Sequence, residues 1–190
     1  MRYIDVFFRI IGWKFKIIFL KLRFGNKVSV RWNDRIANSV RIRINGNGHV
    51  SIGQNVEIRE NVVLNVSDGG VISIGDNVFI NDMCCINARE EILIKEDVMF
   101  GQGVKIYDHD HDYRSNAIKT NFIQSPISIK KQTWVCSNVV ILKGCTIGEN
   151  SVIAAGTIVR KNVSPNVVCF ARQELVQKEI EKAKVYNTRF

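Results

Sequence analysis

Proline occurs only twice in this chain, histidine only three times, and no pair of cysteines has C-x-x-C spacing. With 46% hydrophobic residues, the scarcity of proline excludes a disordered or linker-like chain. Cys84, Cys85, Cys136, Cys145 and Cys169 form an odd, unpaired set, which argues against a disulfide framework and a zinc site and for a reducing cytoplasm. A spanning helix needs about 20 uninterrupted apolar residues. The most apolar stretch, 1–24, is broken by Arg2, Arg9, Lys14, Lys16, Lys21 and Arg23. It is followed by no small-residue cleavage site, which argues against a signal peptide. Acidic residues are outnumbered 18 to 27, giving a net charge of +9. That balance points to an anionic partner: nucleic acid, a lipid surface, or a phosphorylated cofactor or glycan.

The 190 residues suffice for one domain with appendages. Residues 1–25 read as a helix rich in aromatics and bases. Two roles suit it: peripheral contact with a membrane interface beside acidic lipids through residues 1–24, or packing on its own domain or a neighbouring subunit.

Beyond Gly25 the apolar period changes. Ile52, Ile58 and Leu64 are spaced by six, as are Ile74, Ile80 and Ile86, then Ile94, Phe100 and Ile106. The same step returns in Ile129, Val135, Ile141, Ile147, Ile153 and Val159. Turn residues fall between them at fixed phase, as in Gly53-Gln54-Asn55, Gly75-Asp76-Asn77 and Gly148-Glu149-Asn150. Neither a helical period nor simple alternation produces a strict six. A hexad is one short strand plus one corner, and three hexads make one turn of a triangular parallel β-helix, stable only as a stack. Five turns are expected. Val30, Ile36 and Ile42 would add a ragged first turn, with Gly46 to Gly48 breaking the register.

Pro126-Ile127-Ser128-Ile129, the run from Trp134 to Gly148, and Ile153-Ala154-Ala155-Gly156-Thr157-Ile158-Val159 resemble the hexapeptide-repeat acetyltransferases, including galactoside, maltose and surface-polysaccharide O-acetyltransferases. The resemblance implies an all-β chain: a left-handed parallel β-helix over residues 26–168, extruding a loop at 107–126. It is flanked by the N-terminal helix and a short C-terminal helix within 169–190. It also implies acetyl-CoA as co-substrate, a carbohydrate acceptor, a homotrimer with the donor channel between subunits, and no nucleic acid.

Transfer of an acetyl group to a hydroxyl needs a general base, and Asp108-His109-Asp110-His111-Asp112 supplies two imidazoles. In the resembled family the base lies seven residues after the valine opening the preceding hexad pair. From Val104 that count reaches His111, leaving His109 beside the acceptor or behind the base. One of the three aspartates would orient the imidazole, and which one is open. Asn81 matches an active-site asparagine. Ser137 matches a backbone N–H facing the acetyl carbonyl, Ala155 a small residue against the pantetheine arm, and Trp134 a channel wall. Arg160 and Lys161 match basic positions near the cofactor phosphates. Within Arg114 to Ser125, the residues Arg114, Asn116, Lys119 and Asn121 would meet the acceptor. No metal is expected, since His49 lies several turns from the other two histidines.

The expected function is therefore O-acetylation of a surface glycan or its precursor in the cytoplasm, at the inner face of the membrane. An N-acetyltransferase of a nucleotide-linked amino sugar and a non-catalytic scaffold are the alternatives.

Overall fold

Three parallel sheets form the walls of the molecule. In the computed structural model, which describes residues 2–172, they hold six, seven and six strands. The strands are short because each hexad must bend after about two to four residues. Their order follows the repeat: Arg35–Ile36 pairs with Glu57–Ile58, that with Phe79–Ile80, and so on down the second face. The result is a left-handed parallel β-helix of about six turns, stacked beneath helix α1 (Arg2–Phe24).

Each face contributes one inward column. Ile36, Ile58, Ile80, Phe100, Val135 and Ile153 fill the second face, and Ile42, Leu64, Ile86, Ile106, Ile141 and Val159 the third. Every hexad position expected to point inward is buried, and each such side chain is worth roughly 1.5–3 kcal/mol of burial. Cys84 and Cys145 are buried among them and act as packing residues. Burial raises the Cys84 thiol pKa to about 11.

The corner between the first and second faces carries left-handed backbone at Asn55, Asn77, Asp97, Asn150 and Asn166. Asparagine tolerates that region better than other side chains. Here its amide also bonds to the next turn, Asn33 to Asn55 at 2.7 Å and Asn150 to Asn166 at 2.8 Å.

The first turn is not broken. Val28 pairs with Val50, Ile36 with Ile58 and Ile42 with Leu64. Ten residues separate Ile42 from Ile52 instead of six, but the surplus lies between the third and first faces, in the longer strands Arg41–Ile44 and His49–Ile52 and the corner that joins them. The same passage between faces absorbs the surplus between Leu64 and Ile74 and between Ile86 and Ile94. It also ejects residues 107–126 as a hairpin, in which His109–His111 pairs antiparallel with Phe122–Gln124. Insertions in this one passage leave the columns in register.

Helix α1 covers the open first turn with Ile17 and Leu20, both fully buried. Lys16 donates to the carbonyls of Asn38 at 3.0 Å and Val40 at 2.7 Å, satisfying chain-end acceptors, and burial lowers its pKa. The strand Val168–Cys169 extends the second face one residue past the expected end of the coil, pairing with Val152–Ile153. The C-terminal helix expected within 169–190 lies outside the described residues from 173 onward.

Candidate active site

The sequence-predicted residues gather at two edges of the third face. At the edge between the third and first faces, the coil releases the histidine hairpin. Asp108, at its foot, has no solvent exposure. Its carboxylate accepts the Arg89 N–H at 2.9 and 3.0 Å, the Glu90 N–H at 2.8 Å, and His109 Nδ1 at 2.8 Å. Of the three aspartates, Asp108 alone holds an imidazole, and that imidazole is His109. Asp110 pairs with Lys143, and Asp112 accepts the Arg114 N–H at 3.1 Å.

His111 is held without a carboxylate. Its Nδ1 lies 2.7 Å from the Ile118 carbonyl. A carbonyl only accepts, so Nδ1 carries the proton and the Nε2 lone pair is left to act on a ligand. His109 and His111 are two apart on one strand and share a face. Both rings meet Phe122, at centroid distances of 5.6 and 4.5 Å. The Arg89 guanidinium covers that ring at 3.4 Å and pairs with Asp68. His109 is half-buried within this cluster, whereas His111 is exposed. Beside them Asp68, Arg89, Asp112, Thr120, Asn121, Phe122 and Gln124 line a polar groove of about 390 Å³. Asn121 is among these groove residues, while Arg114 lies over the Tyr113 ring, 5.4 Å from its centroid. Asp68 and Arg89 were not foreseen, because they come from earlier turns, nor was Gln124, because the antiparallel pairing that sets it opposite His109 breaks the hexad rule.

At the opposite edge, between the second and third faces, Asn81, Trp134, Ser137 and Ala155 line one groove of about 450 Å³ together with Phe79, Met99, Phe100, Gly101 and Cys136. Parallel stacking brings them together: Met99 pairs with Phe79 and with Trp134. Asn81 accepts the Asp82 N–H at 2.9 Å through its oxygen, which turns its NH₂ group outward from that bond. Gly101 permits the close approach, since a Cβ there would lie 2.5 Å from the Ser137 nitrogen. Burial raises the pKa of Cys136 in this groove. Met83, just past Asn81, is held at a φ of 60°, a conformation costly for an unbranched L-residue at an exposed corner.

Arg160 and Lys161 line a separate groove of about 290 Å³ with Ile158, Cys169 and Phe170. They do not join the Trp134–Ser137 groove within one chain. Among the described residues no histidine, cysteine or carboxylate cluster could hold a metal.

The repeat and the fold are those of a β-helix built on hexads, and residues 126–161 match the family described as bacterial transferase hexapeptide, six repeats. The chain is similar to the galactoside O-acetyltransferase of Escherichia coli K12, 50% identical over 58 residues that cover 30% of this chain and 27% of that protein. It is also similar to a Vibrio cholerae hexapeptide-repeat acetyltransferase solved with acetyl coenzyme A, at 31% identity and a TM-score of 0.57, covering 63% of this chain and 65% of that one. The Bacillus cereus N-acyltransferase AntD, solved with dTDP and coenzyme A, superposes with a TM-score of 0.68 over 86% of this chain and 89% of that one. At 19% identity the likeness to AntD is one of fold alone. The chain therefore spans about a quarter of the length of the curated Escherichia coli relative.

Proposed function

We propose that this protein is an acetyl-CoA-dependent O-acetyltransferase acting on a sugar hydroxyl of a surface polysaccharide or its precursor, with His111 as general base. The observation that carries the reading is the pairing of an exposed imidazole, proton fixed on Nδ1, with an open groove containing Asn81, Trp134, Ser137 and Ala155. In the reaction, His111 Nε2 takes the acceptor hydroxyl proton as the oxygen attacks the thioester carbonyl. The Ser137 N–H stabilises the oxyanion. Collapse expels the CoA thiolate, which takes the proton back from the imidazolium, leaving an acetyl ester and free CoA. His109, tied to Asp108, stiffens the hairpin and lines the acceptor side. Arg160 and Lys161 meet the cofactor phosphates.

The hairpin and the groove lie on opposite edges of the third face, about 10 Å of strand apart for Lys105–Tyr107. A second copy presenting its groove to the first copy's hairpin completes the site. Such an unlike-edge contact repeats into a ring where its rotation closes, and a ring of three is the homotrimer proposed here. Five unpaired cysteines suit the reducing cytoplasm.

The test is release of free CoA from acetyl-CoA by the purified protein, with galactosides, glucosides and their 2-amino counterparts as acceptors. Sugar-dependent release with an alkali-labile acetyl product is expected. An alkali-stable amide as the only product would move the reaction to nitrogen. Absence of sugar-dependent release, with glycan acetylation unaltered on gene loss, would overturn the proposal.

A further inference from the structure

Helix α1 is apolar on two sides, and only one of them is used by the fold. Ile17 and Leu20 seal the coil, and Gly12 lets the helix approach Asn38, where a Cβ would lie 2.9 Å from the side-chain nitrogen. At about 100° per residue, Phe7, Phe8, Phe15, Ile18, Phe19 and Leu22 fall on an arc of roughly 120° facing the other way. All six are exposed, Leu22 at 83%. Arg23 borders the arc on one side, and Lys14 and Lys21 on the other, while Arg9 lies on the coil side with Trp13, Glu57 and Glu60. Trp32, 55% exposed, extends the surface from the first turn of the coil, with the Lys14 ammonium 5.0 Å from its ring. Among the described residues no helix is long and apolar enough to cross a membrane.

We propose that this outer face docks on an anionic lipid bilayer, with α1 lying in the headgroup region. The aromatic and leucine side chains would enter the acyl boundary while the flanking bases meet lipid phosphates. Charge decides between a lipid surface and a second α1. The helix carries six bases, Arg2, Arg9, Lys14, Lys16, Lys21 and Arg23, against one acid, Asp5, within a chain of net charge +9. Two such faces brought together would align like charges, whereas an anionic headgroup layer neutralises them. Each base near such a surface strengthens partitioning by about five-fold. Trp32 beside a lysine is the pairing that suits an aqueous–acyl boundary. A membrane-bound enzyme would hold its hairpin at a fixed distance from a lipid-linked acceptor.

The experiment is flotation of the full chain with vesicles of phosphatidylcholine alone and of phosphatidylcholine and phosphatidylglycerol in equal parts. Binding to the anionic vesicles at least ten-fold above the neutral ones is expected, falling as salt is raised. Phe15→Glu/Leu22→Glu is expected to lose that binding by ten-fold or more while keeping the native mass and circular dichroism spectrum. Failure to bind either vesicle, or equal binding to both, overturns the proposal. A changed native mass in the double variant also overturns it, by making the face a contact between copies. Acetyl transfer to a soluble sugar is read separately, so loss of one result leaves the other standing.

Discussion

Removing the Asp108 carboxylate should unfasten the hairpin from the coil. Asp108 is wholly buried, and its two oxygens take the Arg89 and Glu90 N–H groups from the preceding turn and the ring of the next residue, His109. Its carbonyl takes the Ser125 N–H at 2.8 Å, so both feet of the hairpin meet on this residue. In Asp108→Ala two backbone donors and an imidazole lose their acceptor. An orphaned buried donor costs about 1–3 kcal/mol, and with water entering the opened corner a total near 2–4 kcal/mol is expected. Asp108→Asn keeps one oxygen but turns an NH₂ group toward a donor, and should lose about 1–2 kcal/mol. Asp112→Ala, whose carboxylate serves one exposed N–H at the hairpin tip, should stay within about 0.5 kcal/mol. The assay is urea unfolding at one fixed protein concentration, because subunit association shifts the midpoint by mass action. An Asp108→Ala midpoint equal to that of Asp112→Ala would mean that the buried carboxylate does not fasten the hairpin.

Met83→Asn should stabilise by about 0.5–1 kcal/mol in the same urea assay, since asparagine accepts the left-handed corner backbone at lower cost. Gly101→Ala should weaken acetyl-CoA binding by about ten-fold in calorimetry, because the new methyl group displaces the Ser137 nitrogen. The Cys136 and Cys84 thiols, both raised by burial, hold their protons to higher pH than a free thiol. Alkylation of Cys136 by iodoacetamide should therefore lag a free thiol below pH 9 and catch up as pH rises. Cys84, whose thiol is also shut off from the reagent in the core, should stay unlabelled while the protein is folded, and mass mapping of the labelled sites reads both.

The core was legible because six is a period no other element produces, and each residue from Ile52 to Val159 in the series is where that period puts it. The first turn was misread as ragged for a definite reason. Asn45 to Gly48 look like a break along the chain, but the extra length is taken up between the third and first faces, where it does not shift Ile42 against Leu64. The grooves were legible in part: Asn81, Trp134, Ser137 and Ala155 do share one, since stacking of turns makes equivalent hexad positions neighbours. The Asp108–His109 pairing and the stacking of Arg89 on Phe122 were not legible. Their partners come from different turns and from a hairpin whose strand pairing breaks the hexad rule. For the N-terminal helix, composition allowed packing on its own domain, and Ile17 and Leu20 show that it does so on one side only.

Under the proposed mechanism His111, and not the carboxylate-bound His109, takes the acceptor proton. The most direct measurement is kcat for acetyl transfer in His111→Ala and His109→Ala, beside acetyl-CoA affinity and folded stability for each. His111→Ala is expected to lose about 10²–10⁴-fold in kcat with acetyl-CoA affinity and stability retained, while His109→Ala keeps most of its turnover and loses stability instead. Full turnover in His111→Ala, or the larger kcat loss falling on His109→Ala, would contradict it.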